Sequence, residues 1–157
     1  MRCAAVVLLV FAGAVPAAAQ DARAAVDPVQ VETVLRDAGL FGTFAVDCNA
    51  AAAPANPHVS IMFADAGQVI ERHELGADYE VNNYHVVAAR RLSKARVSVD
   101  VLFRPGSERE QEQHLVFAIG EATRRTIFNR IEGGAVVVKD GVVTGAGVKT
   151  PTLRKCG

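Results

Sequence analysis

The 157-residue chain lacks the short motifs by which common enzyme classes are recognised. It has no G-x-S-x-G turn for a nucleophilic serine, no H-E-x-x-H zinc motif and no glycine loop with the spacing that cradles a phosphate. It also lacks C-x-x-C, the arrangement typical of thiol redox catalysts. We therefore expect a protein that is not an enzyme and that uses no cofactor and no metal.

The sequence has no excess of charge of either sign, since 17 Lys and Arg balance 17 Asp and Glu. Nucleic acids and strongly anionic membranes favour proteins that carry an excess of positive charge. The balance argues against both as general partners.

The apolar run at residues 4–15 is shorter than the roughly 20 residues that a membrane-spanning helix needs. Arg2 precedes the run, and Pro16 and three alanines ending at Ala19 follow it, which is the pattern of a cleaved secretory signal. We predict cleavage after Ala19, a periplasmic or secreted location, and no stable membrane insertion after cleavage. A retained membrane anchor is the alternative.

This interpretation divides the chain into three parts. Residues 1–19 are the signal peptide, residues 20–26 are a flexible mature N-terminus, and residues 27–157 form a single β-barrel domain. A mature chain of this length corresponds to one domain.

Cysteine is scarce, and Cys3 would be lost with the signal peptide, which leaves Cys48 and Cys156. Two cysteines in an exported chain of this size are expected to pair, because the compartment is oxidising. A loop of about 100 residues closed in this way is stabilised by roughly 4–5 kcal/mol on the chain-entropy model. The alternatives are two free thiols or an intermolecular bond.

One segment has the pattern of a helix. Asp27 is a suitable N-cap, Pro28 suits the first helical position, and Gly39 suits the position after the C-terminus. Between them the apolar residues have the spacing of one helix face: Val31, Val34, Leu35 and Ala38. We predict a helix over 28–38 that packs on the rest of the domain, since so short a helix is marginally stable alone.

The remaining chain has the pattern of short strands joined by turns. The clearest alternation lies at 96–104, where Val97, Val99, Val101 and Phe103 face one way and polar residues the other. Eight or nine such strands without crossover helices predict an antiparallel meander. Closure into a barrel removes the exposed edges of such a sheet, and a bond between Cys48 and Cys156 would bring its two ends together.

The stretch LFGTFAVDC, directly after the helix, resembles the G-x-W start of lipocalin-like barrels, with Phe44 in place of the tryptophan. The plan of an early Cys48 and a tail TPTLRKCG is similar to that of small uncharacterised exported bacterial proteins and of lipocalin-like inhibitors of secreted proteases. The resemblance implies a small lipocalin-like barrel and transfers no binding residue. We predict an all-β, antiparallel up-and-down barrel of about eight strands with one short N-terminal helix; a two-sheet β-sandwich is the alternative.

Polar side chains in the segment 78–91 suggest a ligand site. Asn83 and His85 share one side of the predicted strand with Tyr79 and the neighbouring valines. If that side points into the barrel, Asn83 and His85 become polar groups within an apolar cavity, as expected of a ligand site. We predict Tyr79, Asn83, His85 and Phe103 as its ligand-binding residues. The alternative is that these residues face outward, or lie in the core with their hydrogen-bonding groups paired.

Basic residues cluster around a second candidate binding region. Arg90, Arg91, Lys94 and Arg96 surround a probable hairpin tip and could contact an anionic ligand or an acidic partner surface, or simply keep the turn soluble. Arg124, Arg125 and Arg130 would extend this patch if their strand were adjacent.

Glu110, Glu112 and His114 have period-two spacing, which would suit a divalent cation but is more often a solvated strand face.

The sequence therefore predicts an exported, non-enzymatic binding protein for a small apolar ligand or an envelope protein. A hollow interior would favour the apolar ligand, and a filled interior would favour a protein partner bound through loops. The alternatives are a lipocalin-like inhibitor of a secreted protease and a metal-dependent enzyme.

Overall fold

The computed structural model describes residues 28–64 and 67–157. The predicted signal peptide, the segment 20–26 that we predict to be flexible, and the predicted N-cap Asp27 lie outside the described residues. Helix α1 spans Pro28–Asp37, and ten strands follow it: β1 (Gly42–Ala45), β2 (His58–Phe63), β3 (Val69–Glu74), β4 (Asn82–Ser93), β5 (Arg96–Phe103), β6 (Gln111–Ile119), β7 (Thr123–Ile131), β8 (Val136–Lys139), β9 (Val142–Val143) and β10 (Leu153–Lys155).

The sheet closes on itself through its last strand. Strands β1 to β7 pair in sequence order, and every pairing is antiparallel. Strand β10 pairs with β1 on one side and with β7 on the other, which completes a ring of eight strands. Strands β8 and β9 extend from β7 as a hairpin outside this ring. The predicted barrel is confirmed, and the β-sandwich alternative is set aside.

The predicted disulfide is confirmed at the point of closure. Cys48 follows β1 and Cys156 follows β10, and their Cα atoms lie 5.5 Å apart in the bonded pair. The Cys156 amide also donates to the Thr43 carbonyl at 2.8 Å. The covalent bond therefore reinforces the hydrogen bonds between the first and last strands.

Helix α1 covers the end of the barrel where β4 and β10 finish. Val31 and Leu35 are buried in the main core cluster, as their spacing predicts. At the C-terminal end of the helix, Lys155 donates to the Gly39 carbonyl at 3.0 Å and Arg91 to the Asp37 carbonyl at 3.5 Å. Cations are favourable there because the last carbonyls of a helix carry partial negative charge.

The predicted valine face of β5 is confirmed, since Val97, Val99 and Val101 are 0–2% exposed, and Ser98 on the opposite face is also buried. Strand β4 is less regular than its sequence suggests. A register shift between Val86 and Ala88 places both Ala88 and Ala89 in the buried set, so the alternation does not continue from Asn83 to Ala89. A bulge of this kind inserts one residue and changes which face later side chains occupy.

Within the described ranges 28–64 and 67–157, no helix has the length and apolar content needed to cross a membrane.

Replacing both cysteines, Cys48→Ala with Cys156→Ala, should lower the free energy of unfolding by about 2–5 kcal/mol, because the unfolded chain regains the freedom that the bond removes. Urea unfolding of the oxidised wild type and of the double variant measures the loss. Reduction of the wild type should reproduce it, and the double variant should not respond to reductant. Equal stability of the oxidised wild type and the variant would contradict this role.

Candidate functional site

A buried ion pair crosses the barrel interior. Strands β3 and β7 lie opposite each other in the ring, because three strands separate them on either side. Arg124 on β7 donates from Nη2 to both carboxylate oxygens of Glu71 on β3, each at 3.0 Å. The two side chains are 2% and 4% exposed. An ionised side chain of each sign therefore lies inside the barrel.

Neighbouring side chains complete this interior cluster. His73 Nε2 lies 2.6 Å from Glu71 Oε1, and the His73 side chain is 25% exposed. The Arg124 guanidinium lies 4.1 Å from the ring centroid of Phe117 and 5.8 Å from that of Phe44. Aromatic faces attract a cation in this geometry. Two of the arginine's donors, Nε and Nη1, have no hydrogen-bond partner among the described residues, so these rings supply much of their environment.

The electrostatics of the cluster favour the charged form of Glu71. Burial alone would raise the pKa of Glu71, but the Arg124 charge and the hydrogen bonds from His73 and Arg124 lower it to about 2. Burial and the nearby Glu71 charge raise the pKa of Tyr84 to about 12, although Arg104 opposes the shift. The Tyr84 ring contacts His73 and Phe103, each at 4.8 Å between centroids.

The four predicted ligand residues do not line one cavity. Phe103 is on the inner face, beside Tyr84 and in alternation with Val101. Asn83 and His85 flank Tyr84 in the same strand and therefore lie on the outer face. Tyr79 lies before β4 rather than within it and is 52% exposed. The condition for an interior site is thus not met by Asn83 and His85, and the binding role of the four residues stays a prediction.

Asn83 and His85 instead line a groove at the end of the barrel away from α1. The groove has a volume of about 610 Å³ and lies between the β3–β4 loop, the first half of β4 and the β5–β6 loop. Its walls combine charged, polar and apolar side chains: Glu80, Val81, Asn83, His85, Arg104, Pro105, Ser107 and Arg109. We call this set the outer groove. Its volume lies in the range of small-ligand sites, roughly 300–1,000 Å³.

Arg104 is the most firmly held cation of the outer groove. Its Nε and Nη2 donate to Asn82 Oδ1 at 3.2 and 2.9 Å, and its guanidinium lies 5.1 Å from the Phe103 ring centroid. Its backbone has φ of 49°, a left-handed conformation that is uncommon outside glycine. The Ser107 amide and hydroxyl both donate to the Arg104 carbonyl, at 3.2 and 2.8 Å, and hold this turn.

Two arginines of the outer groove meet at one carboxylate oxygen. Arg104 Nη2 lies 2.8 Å and Arg109 Nη2 3.3 Å from Glu80 Oε2. The Glu80 side chain is 70% exposed and that of Arg109 68%, whereas the Arg104 side chain is only 20% exposed. The arrangement therefore joins one fixed cation, one exposed cation and one exposed anion.

All four residues of the predicted anionic-partner patch are exposed, and one of them is held by the turn that it lies in. Arg91 donates from Nε to the Ser93 carbonyl at 2.8 Å and from Nη2 to the Lys94 carbonyl at 2.6 Å, so it holds the β4–β5 turn. Arg90 lies 3.9 Å from Asp100, and Lys94 and Arg96 are exposed. The role of these residues toward a partner stays a prediction.

The second group of arginines does not extend that patch. Arg124 is buried against Glu71, and Arg125 donates to the Gly141 and Thr150 carbonyls at 2.7 and 3.1 Å. Strand β7, which carries them, is not a neighbour of β4. The condition for the extension, adjacent strands, is therefore not met, and Arg124 and Arg125 also have partners within the barrel and its hairpin.

Glu110 and His114, two of the three residues with period-two spacing, contact different partners. Glu110 lies before β6 and accepts from the Gly106 amide at 2.7 Å, whereas His114 Nδ1 lies 2.5 Å from Asp100 Oδ1. Across 28–64 and 67–157, no group of three or more His, Cys, Asp or Glu side chains could hold a metal ion.

Comparison of the chain with protein-family models, with curated proteins and with solved structures gave no match.

Glu71→Gln should lower the free energy of unfolding at pH 7 by about 3–5 kcal/mol, because it leaves the buried Arg124 charge without its carboxylate. Glu74→Gln removes an exposed partner of Arg72 in the same strand and should cost no more than about 1 kcal/mol. Urea unfolding of the three proteins measures both values. A cost for Glu71→Gln no larger than that for Glu74→Gln would contradict the role of the pair.

The difference in unfolding free energy between wild type and Glu71→Gln depends on pH. The folded-state pKa of Glu71 is about 2, below its ordinary value of 4.5. Its contribution is therefore complete above pH 4.5 and is lost as the pH falls through about 2. The stability difference between wild type and Glu71→Gln should shrink as the pH falls over this window.

Proposed function

We propose that this chain is an exported, non-enzymatic binding protein that holds a segment of an envelope protein in the outer groove. The observation that carries the proposal is the position of the Glu71–Arg124 pair across the barrel interior. An apolar ligand at that level would have to separate two buried charges, which costs several kcal/mol. A protein segment in the outer groove leaves the pair intact.

The outer groove offers what a protein segment needs. Val81 and Pro105 provide apolar contacts, and Asn83, His85 and Ser107 provide hydrogen-bonding groups around the two arginines. Loops presented by a rigid scaffold commonly carry binding functions. Inhibition of a secreted protease is one form that such binding could take.

Export to the periplasm or beyond is part of the proposal. The signal-like pattern at 1–19 supports it, and so does the bond between Cys48 and Cys156, since disulfides persist in oxidising compartments.

Photo-crosslinking in the cells that make the protein tests the proposal. A benzoylphenylalanine at Val81, which lines the outer groove and is 41% exposed, should give a discrete adduct with one envelope protein identified by mass spectrometry. The same group at Val148, 61% exposed in the β9–β10 loop, is the control and should not give that adduct.

Two results would contradict the proposal. One is the same adducts at Val81 and Val148, which would indicate collisions rather than a site. The other is the absence of an adduct at Val81 together with a lipid-like mass bound to the purified mature protein in native mass spectrometry, which would favour the small apolar ligand.

A further inference from the structure

Glu80 is the weakly held member of the charge cluster in the outer groove. Its carboxylate is exposed and sits on a loop, so its ion pairs with Arg104 and Arg109 are formed in water rather than in the protein interior. Exposed ion pairs of this kind contribute little, because solvent screens them and the side chains lose conformational entropy. The Glu80 carboxylate can therefore leave the two arginines at small cost.

Arg104 would keep its position when Glu80 leaves. Its contacts with Asn82 and with the Phe103 ring do not involve Glu80, and its backbone turn is fixed by Ser107. A guanidinium held in this way is pre-organised for a carboxylate, which it can bind with two parallel hydrogen bonds. Arg109 adds a second positive charge that faces the same oxygen.

From this geometry we infer that the outer groove binds a carboxylate-bearing peptide segment, and that Glu80 occupies the carboxylate position in the free protein. The inference rests on the proposed function and adds the chemical class of the bound segment. Val81 and Pro105 flank the two arginines and would contact the residues on either side of the acidic one. Glu80 then acts as an internal competitor that lowers the affinity for every acidic segment.

Calorimetric titration with a short capped peptide that carries one central glutamate tests the inference, with its glutamine counterpart as the control peptide. Glu80→Gln should bind the glutamate peptide about two- to fivefold more tightly than wild type, the factor that corresponds to an exposed ion pair of about 0.5–1 kcal/mol. Arg104→Gln should weaken binding at least tenfold. The glutamine peptide should bind none of the proteins measurably.

Glu132→Gln is the matched control variant. It removes the same charge from an exposed pair, in which Arg130 lies 3.2 Å away, and Glu132 is not a wall of the outer groove. Its affinity for the glutamate peptide should equal that of wild type. If Arg104→Gln does not fold, Arg109→Gln provides the test, because the Arg109 side chain is 68% exposed, and it should weaken binding at least threefold.

Three outcomes would overturn the inference. Glu80→Gln could bind the peptide no better than wild type, Glu132→Gln could improve binding as much as Glu80→Gln, or inorganic phosphate could bind Glu80→Gln as tightly as the peptide does. The last result would assign a general anion site. None of these titrations decides whether Val81 crosslinks to an envelope protein, so failure of the inference and failure of the proposed function remain distinguishable.

Discussion

A carboxylate and a guanidinium on opposite strands of a closed barrel neutralise each other where water does not reach them. Glu71 and Arg124 form this contact, and the rings of Phe44 and Phe117 surround the guanidinium. Burial of either charge alone would cost several kcal/mol, whereas the pair with its hydrogen bonds is tolerated. The pair thereby ties β3 to β7 across the barrel, in the interior where some small barrels hold a ligand.

Closure of the ring makes that contact possible. Strand β10 has only three residues, yet it pairs with both β1 and β7, and the bond between Cys48 and Cys156 holds its end beside the first strand. A sheet left open between β7 and β1 would expose two edges and would not set β3 opposite β7. The loops at the end of the barrel away from α1 form the outer groove, to which we assign the proposed binding role.

Much of the fold could be predicted from local patterns. The spacing of Val31 and Leu35 indicated the buried face of α1, the alternation of β5 indicated a half-buried strand, and two cysteines near the ends of the domain indicated closure. The site was harder to predict, because strand periodicity does not say which face is inside. His85 alternates with Tyr84, and only the pairing of β4 with β3 and β5 shows that Tyr84 faces the interior.

The interior pair illustrates the same limit, since a glutamate at residue 71 and an arginine at residue 124 resemble ordinary surface charges until closure places them face to face. A double-mutant cycle with Glu71→Gln and Arg124→Met tests this contact most directly, by urea unfolding of the wild type, both single variants and the double variant. The account predicts that the double variant loses at least about 2 kcal/mol less stability than the sum of the two single losses, because removing both charges leaves neither one buried alone. Losses that add within about 0.5 kcal/mol would show that the two charges do not depend on each other and would contradict the account.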